Sequence, residues 1–141
     1  MIRTLSEMRS FFAADHFAME QCGITVDSVD ENGACCSMPI TPKHLNAGNV
    51  AQGGAIFTLC DLCFAAAANV GGVHTVSQSA DIHYLRPGTG DRLYAQAQCI
   101  NAGRTTCLYR VEVTNEKGKL VACSTISGFR KPQTGKEVNN A

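Results

Sequence analysis

One segment of this 141-residue sequence, residues 52–69, combines the length and the apolar spacing of a long helix. Its apolar side chains recur three or four positions apart, so a helix would place them on one stripe that must be buried. Gly71 and Gly72 follow and favour a helix end. The stripe consists of Ile56, Leu59, Cys60, Cys63, Phe64 and Ala67. We therefore expect the rest of the chain to fold around this helix.

The sequence after this helix is typical of strands. Short turns rich in glycine separate its segments, and such turns join antiparallel neighbours. One long helix followed by a run of strands indicates an α+β fold in which an antiparallel sheet packs on the helix. The predicted strands are 73–86, 92–101, 105–115 and 120–130.

The sequence before the helix holds smaller elements. Residues 4–22 have helical spacing and predict one N-terminal helix or two short ones. Residues 24–40 alternate on either side of a Glu-Asn-Gly turn, which predicts a β-hairpin. We expect a single domain over residues 1–131, with its core at 24–131, and a polar, disordered tail at 132–141.

Composition excludes several classes of partner. Lys and Arg number 12 and Asp and Glu number 12, whereas a nucleic-acid binder needs a basic excess. No run of 18 apolar residues is present, so we expect no membrane span. Charged residues make up only 17% of the chain, against about 25% in typical domains. We therefore expect part of the surface to be covered by other copies of the chain.

Eight cysteines in a short chain suggest a disulfide framework only in a secreted protein. The first nine residues contain mixed charges and no apolar stretch, so we predict no signal peptide and a cytoplasmic location with free thiols. Cys60 and Cys63 have the C-x-x-C spacing of redox and zinc sites. No second pair accompanies them and they lie within the helical pattern, so we interpret them as core residues and predict no metal site.

The opposite side of the predicted helix carries small residues and one acid, Asp61. This carboxylate is the only charge between Lys43 and Asp81. An aspartate within a helix in apolar surroundings is either a solvated or backbone-bonded side chain or a catalytic carboxylate. The small residues, Gly54, Thr58, Ala65 and Ala68, would let a second subunit approach this face closely.

The start of the helix reads Gln52-Gly53-Gly54. The first amides of a helix have no partner within it and can stabilise a developing oxyanion. Glycine also lets a ligand approach the backbone, although two glycines can equally serve to shape a loop. Together with Asp61 two turns further on, this start predicts chemistry on a carbonyl group.

Residues 44–64, HLNAGNVAQGGAIFTLCDLCF, resemble the hotdog-fold acyl-CoA thioesterases of the phenylacetate-pathway (PaaI-like) group. The pattern of that family is H-x-N-x-x-G-x-x-H-G-G, followed by a helix similar to F-T-L-A-D-x-A-F-A. The similarity continues through residues 84–88 and the last strands. It implies the hotdog fold, a long central helix wrapped by a curved antiparallel sheet, which agrees with the predicted order of elements.

The resemblance also implies roles for individual residues. Asp61 matches the catalytic carboxylate, as nucleophile or as general base, and Gly53 matches the glycine whose amide polarises the thioester carbonyl. Asn46 matches the loop asparagine that positions water or the acyl group, and Ser79 matches a strand hydroxyl that assists in some members. In this family such groups meet at a subunit interface.

Two positions depart from the pattern. Asn49 stands where the family has a loop glycine, and Gln52 replaces the histidine before Gly-Gly. The amide of Gln52 can support a substrate by hydrogen bonding but cannot titrate near pH 7. His44 is a second supporting candidate, which either orients the loop or is simply an exposed loop histidine.

Coenzyme A carries phosphates, and the resemblance favours Arg86, Arg104 and the adjacent Thr105 as its contacts. We predict an acyl-CoA thioesterase that needs no cofactor and forms a homo-oligomer, a tetramer built as a dimer of dimers. One alternative is a protein of the same fold that binds an acyl-CoA or an acid without hydrolysing it. A hydratase or dehydratase is another, which the absence of the histidine disfavours.

Overall fold

The computed structural model describes residues 2–131. The predicted tail at 132–141 lies outside them. The chain forms two α-helices and six strands in the order α1 (Leu5–Phe12), β1 (Thr25–Asp30), β2 (Gly33–Pro39), α2 (Gly53–Asn69), β3 (Thr75–Tyr84), β4 (Arg92–Ala102), β5 (Thr106–Thr114) and β6 (Leu120–Arg130). A π-helical turn, Phe17–Gln21, precedes β1, and a 3₁₀ turn, Pro42–His44, follows β2. The N-terminal segment therefore contains two short helical pieces, and not the single helix that was the other alternative for residues 4–22.

The six strands form one sheet in the order β1-β2-β4-β5-β6-β3, and every neighbouring pair is antiparallel. The prediction that short turns join neighbouring strands is right for the β4–β5 and β5–β6 turns. It is wrong for the β3–β4 connection, because β3 and β4 are not neighbours in the sheet. Residues 85–91 instead cross the end of the sheet, where the amide of Leu85 donates to the carbonyl of Val121 over 2.8 Å. Seven extended residues reach about 23 Å, and three strand spacings are about 14 Å, so this short segment spans the gap.

Helix α2 packs on the inner face of the sheet. All six residues of the predicted stripe are buried, each with no more than 3% of its surface exposed. They contact alternate residues of the strands, such as Leu93, Ala95, Val111 and Ile126, which share the same core. Five of the eight cysteines, including Cys60 and Cys63, are also buried. The α+β prediction is confirmed, and these buried cysteines serve as small core residues.

Strand β3 forms one edge of the sheet, and nine of its ten residues are at least partly exposed. It contains one bulge, at Gln78, between the pairs Ser77–Gly128 and Ser79–Ser127. No helix within residues 2–131 is long and apolar enough to cross a membrane. In the same part of the chain, no three His, Cys, Asp or Glu side chains lie close enough to hold a metal ion.

Candidate active site

Gln52 caps the start of α2. Its side-chain oxygen accepts a hydrogen bond from the amide of Ala55 over 3.1 Å, the function that Ser, Thr, Asp or Asn usually serves at this position. A Cβ on Gly54 would lie 2.6 Å from that oxygen, so the cap requires glycine there. Within residues 2–131, the amides of Gly53 and Gly54 have no hydrogen-bond acceptor. The helix therefore begins with two free N–H donors.

Tyr84, at the end of β3, fixes the position of this helix start. Its hydroxyl donates to the carbonyl oxygen of Gly53 over 2.9 Å, and a Cβ on Gly53 would lie 3.2 Å from the ring. Glycine at position 53 thus allows the aromatic ring to pack directly on the backbone. Strand β3 and the free amides are held together by this contact.

The loop before the helix is closed by the side chain of Asn46. Its oxygen accepts from the amides of Gly48 and Val50 over 2.8 and 3.3 Å. Asn49 adopts a φ of 65°, a left-handed conformation that glycine adopts without strain and asparagine tolerates best among other residues. The replacement of the family's glycine by Asn49 is therefore compatible with the loop.

His44 is buried, with 4% of its surface exposed, and both ring nitrogens are occupied. Nδ1 accepts from the amide of Thr41 over 3.1 Å, which leaves the proton on Nε2 to be donated to the carbonyl of Cys22 over 2.7 Å. The side chain orients the loop and joins it to the N-terminal segment.

Three of the predicted site residues line one cleft beside the helix start. Asn46, Gly53 and Arg86 enclose about 350 Å³ together with Tyr84 and residues of the two adjoining loops. We call this the amide cleft. The NH₂ group of Asn46 has no acceptor among the described residues, so both it and the Gly53 amide are available to a ligand.

Asp61 lies in a separate cleft of about 290 Å³, two helical turns further along. The pKa of its carboxyl group is raised. The largest cause is burial, and the charge of Asp15 also raises this pKa, whereas the nearby hydroxyl of Ser77 lowers it. Within residues 2–131, no Lys, Arg or His side chain forms an ion pair with it. This carboxylate cleft is lined by Asp15, Phe17, Ala18, Phe57, Thr58, Asp61 and Leu62.

The structure brings Ser77, and not the predicted Ser79, next to Asp61. The bulge at Gln78 changes which face of β3 each residue occupies. Ser77 pairs with Gly128, which faces Phe64 of the helix, whereas the hydroxyl of Ser79 lies 2.7 Å from that of Ser127 on the other face. The sequence contains no signal for this bulge, so Ser77 was missed.

Arg104 and Thr105 line neither of these clefts. They form the β4–β5 turn, at the end of the sheet where β6 ends, whereas Arg86 lies at the opposite end beside the helix start. Two more cations, Arg130 and Lys131, lie at the same end of the sheet. The guanidinium of Arg130 donates to the carbonyl of Gly103 over 2.5 Å, and the backbone amide of Lys131 donates to the backbone carbonyl of His74. Among the described residues, none of the three cations is paired with a carboxylate.

The Cys60–Cys63 pair forms no part of these clefts. Burial raises the pKa of Cys60 to about 12, and the thiol of Cys63 points to the backbone carbonyls of Ala34 and Ala95. Thiols that stay protonated in a core are poor nucleophiles and poor metal ligands. Their position supports the structural interpretation.

The chain is similar to known thioesterases in both sequence and structure. The model of the thioesterase superfamily matches residues 48–122. The acyl-coenzyme A thioesterase PaaI of Escherichia coli K12 is 40% identical over 101 residues, covering 71% of this chain and 72% of that protein. The solved structure of the E. coli PaaI protein covers 93% of this chain and 99% of its own, with a TM-score of 0.80 and 33% identity.

A structure of a hypothetical thioesterase protein from Streptococcus pneumoniae TIGR4, which contains coenzyme A, has the same TM-score of 0.80 at 27% identity, covering 88% of this chain and 97% of its own. These findings confirm the resemblance found in residues 44–64 and the hotdog fold that it implies. They also confirm the expected class of enzyme, a thioester hydrolase. The family model covers more than half of the sequence, and the chain therefore belongs to the thioesterase superfamily.

Proposed function

We propose that the protein hydrolyses acyl-CoA thioesters with Asp61 as the catalytic carboxylate and the Gly53 amide as the oxyanion donor. One observation carries this assignment. Among residues 2–131, the half-buried carboxylate of Asp61 has no ion-pair partner, and it lies on the same helix that begins with free amides. Burial of a carboxylate without a cationic partner costs free energy, and such groups are concentrated at functional sites. Relatives named as thioesterases, one with coenzyme A bound, support the substrate class.

The reaction follows from these groups. The thioester carbonyl accepts a hydrogen bond from the Gly53 amide, which stabilises the negative oxygen as the carbon becomes tetrahedral. Asp61 either takes a proton from the attacking water or attacks the carbonyl itself, forming an anhydride that water then cleaves. In both routes the C–S bond breaks, coenzyme A leaves as the thiol and the acyl group leaves as the acid. Asn46 is proposed to position the water or the acyl group through its free NH₂.

Two copies of the chain are needed to assemble this site. Gly53 and Asp61 are eight residues apart on one helix, about 12 Å, whereas a donor and an attacking group must both lie about 3 Å from the reacting carbonyl group. Strand β3, beside Asp61, is an exposed edge without lysine or proline, and Val76 is 44% exposed there. Such an edge pairs readily with a second strand. We therefore propose a dimer through β3, and a tetramer as a dimer of dimers.

Coenzyme A would extend from Asp61 toward one end of the sheet. Arg104, with Arg130 and Lys131, offers positive charge there to the phosphates, and Thr105 lies beside it. Arg86 lines the amide cleft, so Arg86 and Arg104 contact one nucleotide only when different copies supply them.

The Arg104→Ala change should raise KM for an acyl-CoA roughly tenfold, because a hydrogen bond to a charged group contributes about 1.5 kcal/mol or more, while kcat changes little. The matched substrate is the acyl-pantetheine, which has the same thioester but no nucleotide. Its KM should be unaffected by the change. An equal effect on both substrates would remove Arg104 from the nucleotide site, and Arg86→Ala tests the other candidate in the same assay.

The pH dependence offers a test of Ser77. Asp61 acts only when ionised, so activity falls as the pH drops through its raised pKa. Ser77→Ala removes the hydroxyl that lowers this pKa, and the acidic limb of the pH–rate profile should move to higher pH. Ser79→Ala, the same change on the opposite face of β3, is the control and should leave the limb in place. A shift with Ser79→Ala alone would contradict the assignment.

Release of free thiol from a panel of acyl-CoAs tests the proposed function. Hydrolysis gives stoichiometric coenzyme A and acid. A protein that only binds acyl-CoA would show saturable binding without thiol release, and a hydratase would change the absorbance of an enoyl-CoA without releasing thiol. Either result would replace the proposed function. A reducing cytoplasm, in which the eight thiols stay free, is the compartment that we propose for the reaction.

A further inference from the structure

The carboxylate cleft has the chemistry of an acyl pocket. Its walls are the aromatic rings of Phe17 and Phe57 with the apolar side chains of Ala18 and Leu62. The hydroxyl of Thr58 is already occupied, since it donates to the carbonyl of Gly54 over 2.8 Å. A pantetheine arm has amide carbonyls that need hydrogen-bond donors, and the side chains of these walls offer no free donor. An apolar group fits them better.

Two carboxylates restrict this group further. Asp15 and Asp61 both line the cleft, and Asp15 is held in place because it accepts from the amide of Ala18 over 3.0 Å. Within residues 2–131, neither carboxylate is paired with a cation. A negatively charged group on the ligand would be repelled by both carboxylates, and partial desolvation of the site would strengthen that repulsion. The cleft therefore favours uncharged groups over phosphates and dicarboxylic acyl chains.

Phe17 forms the boundary of the cleft. Its side chain is 62% exposed although it is a large apolar residue, and it begins the π-helical turn. The turn is anchored on both sides: the amide of Cys22 donates to the carbonyl of Phe17 over 3.0 Å, and His44 donates to the carbonyl of Cys22. Turns of this type occur mostly as single turns, and these are frequent at functional sites.

A second cleft of about 420 Å³ adjoins the first and includes Gln52 and Lys43. Phe17 and Thr58 line both clefts. The smaller cleft, of about 290 Å³, has room for a single ring or a chain of medium length, since an apolar cavity of about 150 Å³ holds benzene. A longer chain would have to pass the ring of Phe17.

We propose that the carboxylate cleft binds the uncharged, apolar acyl group of the substrate and that Phe17 sets the upper limit of its length. This inference rests on the proposed function, because the reacting carbonyl group must lie beside Asp61. It assigns a specificity-determining role to Phe17, a side chain that takes no part in the proposed chemistry.

The test is the profile of kcat/KM over straight-chain acyl-CoAs from acetyl to palmitoyl, with succinyl-CoA compared to butyryl-CoA. The wild-type protein should reach a maximum at a short or medium chain and discriminate against succinyl-CoA. Phe17→Ala should move the maximum to chains at least two carbons longer. Each additional buried methylene should raise kcat/KM for the long chains by a factor of about four.

Phe11→Ala is the matched control. Phe11 belongs to the same N-terminal segment and is similarly exposed, at 49%, but lines neither cleft, so its removal should leave the profile unchanged. Phe17→Trp should move the maximum to shorter chains. An unchanged profile in Phe17→Ala, or an equal shift in Phe11→Ala, would overturn this inference while thioester hydrolysis itself stands. A wild-type protein that releases no thiol from any substrate would instead overturn the proposed function.

Discussion

Asp61→Asn should lower kcat for thioester hydrolysis by roughly 10³-fold, because a positioned general base contributes about 10²–10⁴ to a rate. The amide has nearly the same shape as the carboxylate but can neither accept a proton nor form an anhydride. The fold should be unaffected, since the change removes a charge that burial already disfavours. Thiol release with saturating acyl-CoA measures kcat, and thermal unfolding checks the fold.

Asp15→Asn is the matched control for this variant. It makes the same chemical change in the same cleft, and asparagine keeps the oxygen that accepts from the amide of Ala18. Its kcat should stay close to that of the wild type, and the acidic limb of its pH profile should move to lower pH because one source of repulsion on Asp61 is gone. If Asp61→Asn kept full activity, or if both variants lost it equally, the catalytic role of Asp61 would be wrong.

Gly53→Pro should lower kcat by about 10²–10³-fold, the usual effect of losing one oxyanion donor. Gly53 is the first helical residue, and proline is well tolerated there because the N–H it removes has no partner in the helix. Gln52 already has the extended backbone, with a ψ of 138°, that a residue before proline prefers. The substitution therefore deletes the proposed donor with little cost to the helix.

Gly53→Ala separates the donor from steric effects. Alanine keeps the N–H but introduces the Cβ at 3.2 Å from Tyr84, a contact that proline makes as well. We expect the kcat of Gly53→Ala to stay close to that of the wild type, whereas the kcat of Gly53→Pro falls. Equal losses in the two variants would show that space beside Tyr84, and not the amide, matters at this position.

The sequence predicts the parts of the site that depend on local order along the chain. The apolar stripe of α2 requires Asp61 to lie away from the sheet core, and the Gly-Gly pair places free amides at the helix start. Both follow from helix periodicity and from the geometry of helix ends. The replacement of the loop glycine by Asn49 is also consistent with local conformation, since asparagine tolerates a φ of 65°.

The parts that depend on long-range pairing could not be predicted in the same way. The position of β3 beside β6 is set by the crossing segment 85–91, whose glycine and proline equally suit a hairpin. The bulge at Gln78 decides that Ser77 faces Asp61, and a bulge shifts strand register without a residue signature. The separation of Arg86 from Arg104 follows from the same topology.

Complementation between two inactive variants tests the central claim, a catalytic site shared by two copies, most directly. Asp61→Asn and Gly53→Pro chains carrying different affinity tags are co-expressed, and the mixed oligomer is purified through both tags. In a mixed dimer, one site combines Asp61 of the Gly53→Pro chain with the Gly53 amide of the Asp61→Asn chain. The mixed dimer should therefore regain about half of the wild-type kcat per dimer. Mixed dimers that are as inactive as either variant alone would contradict the shared site.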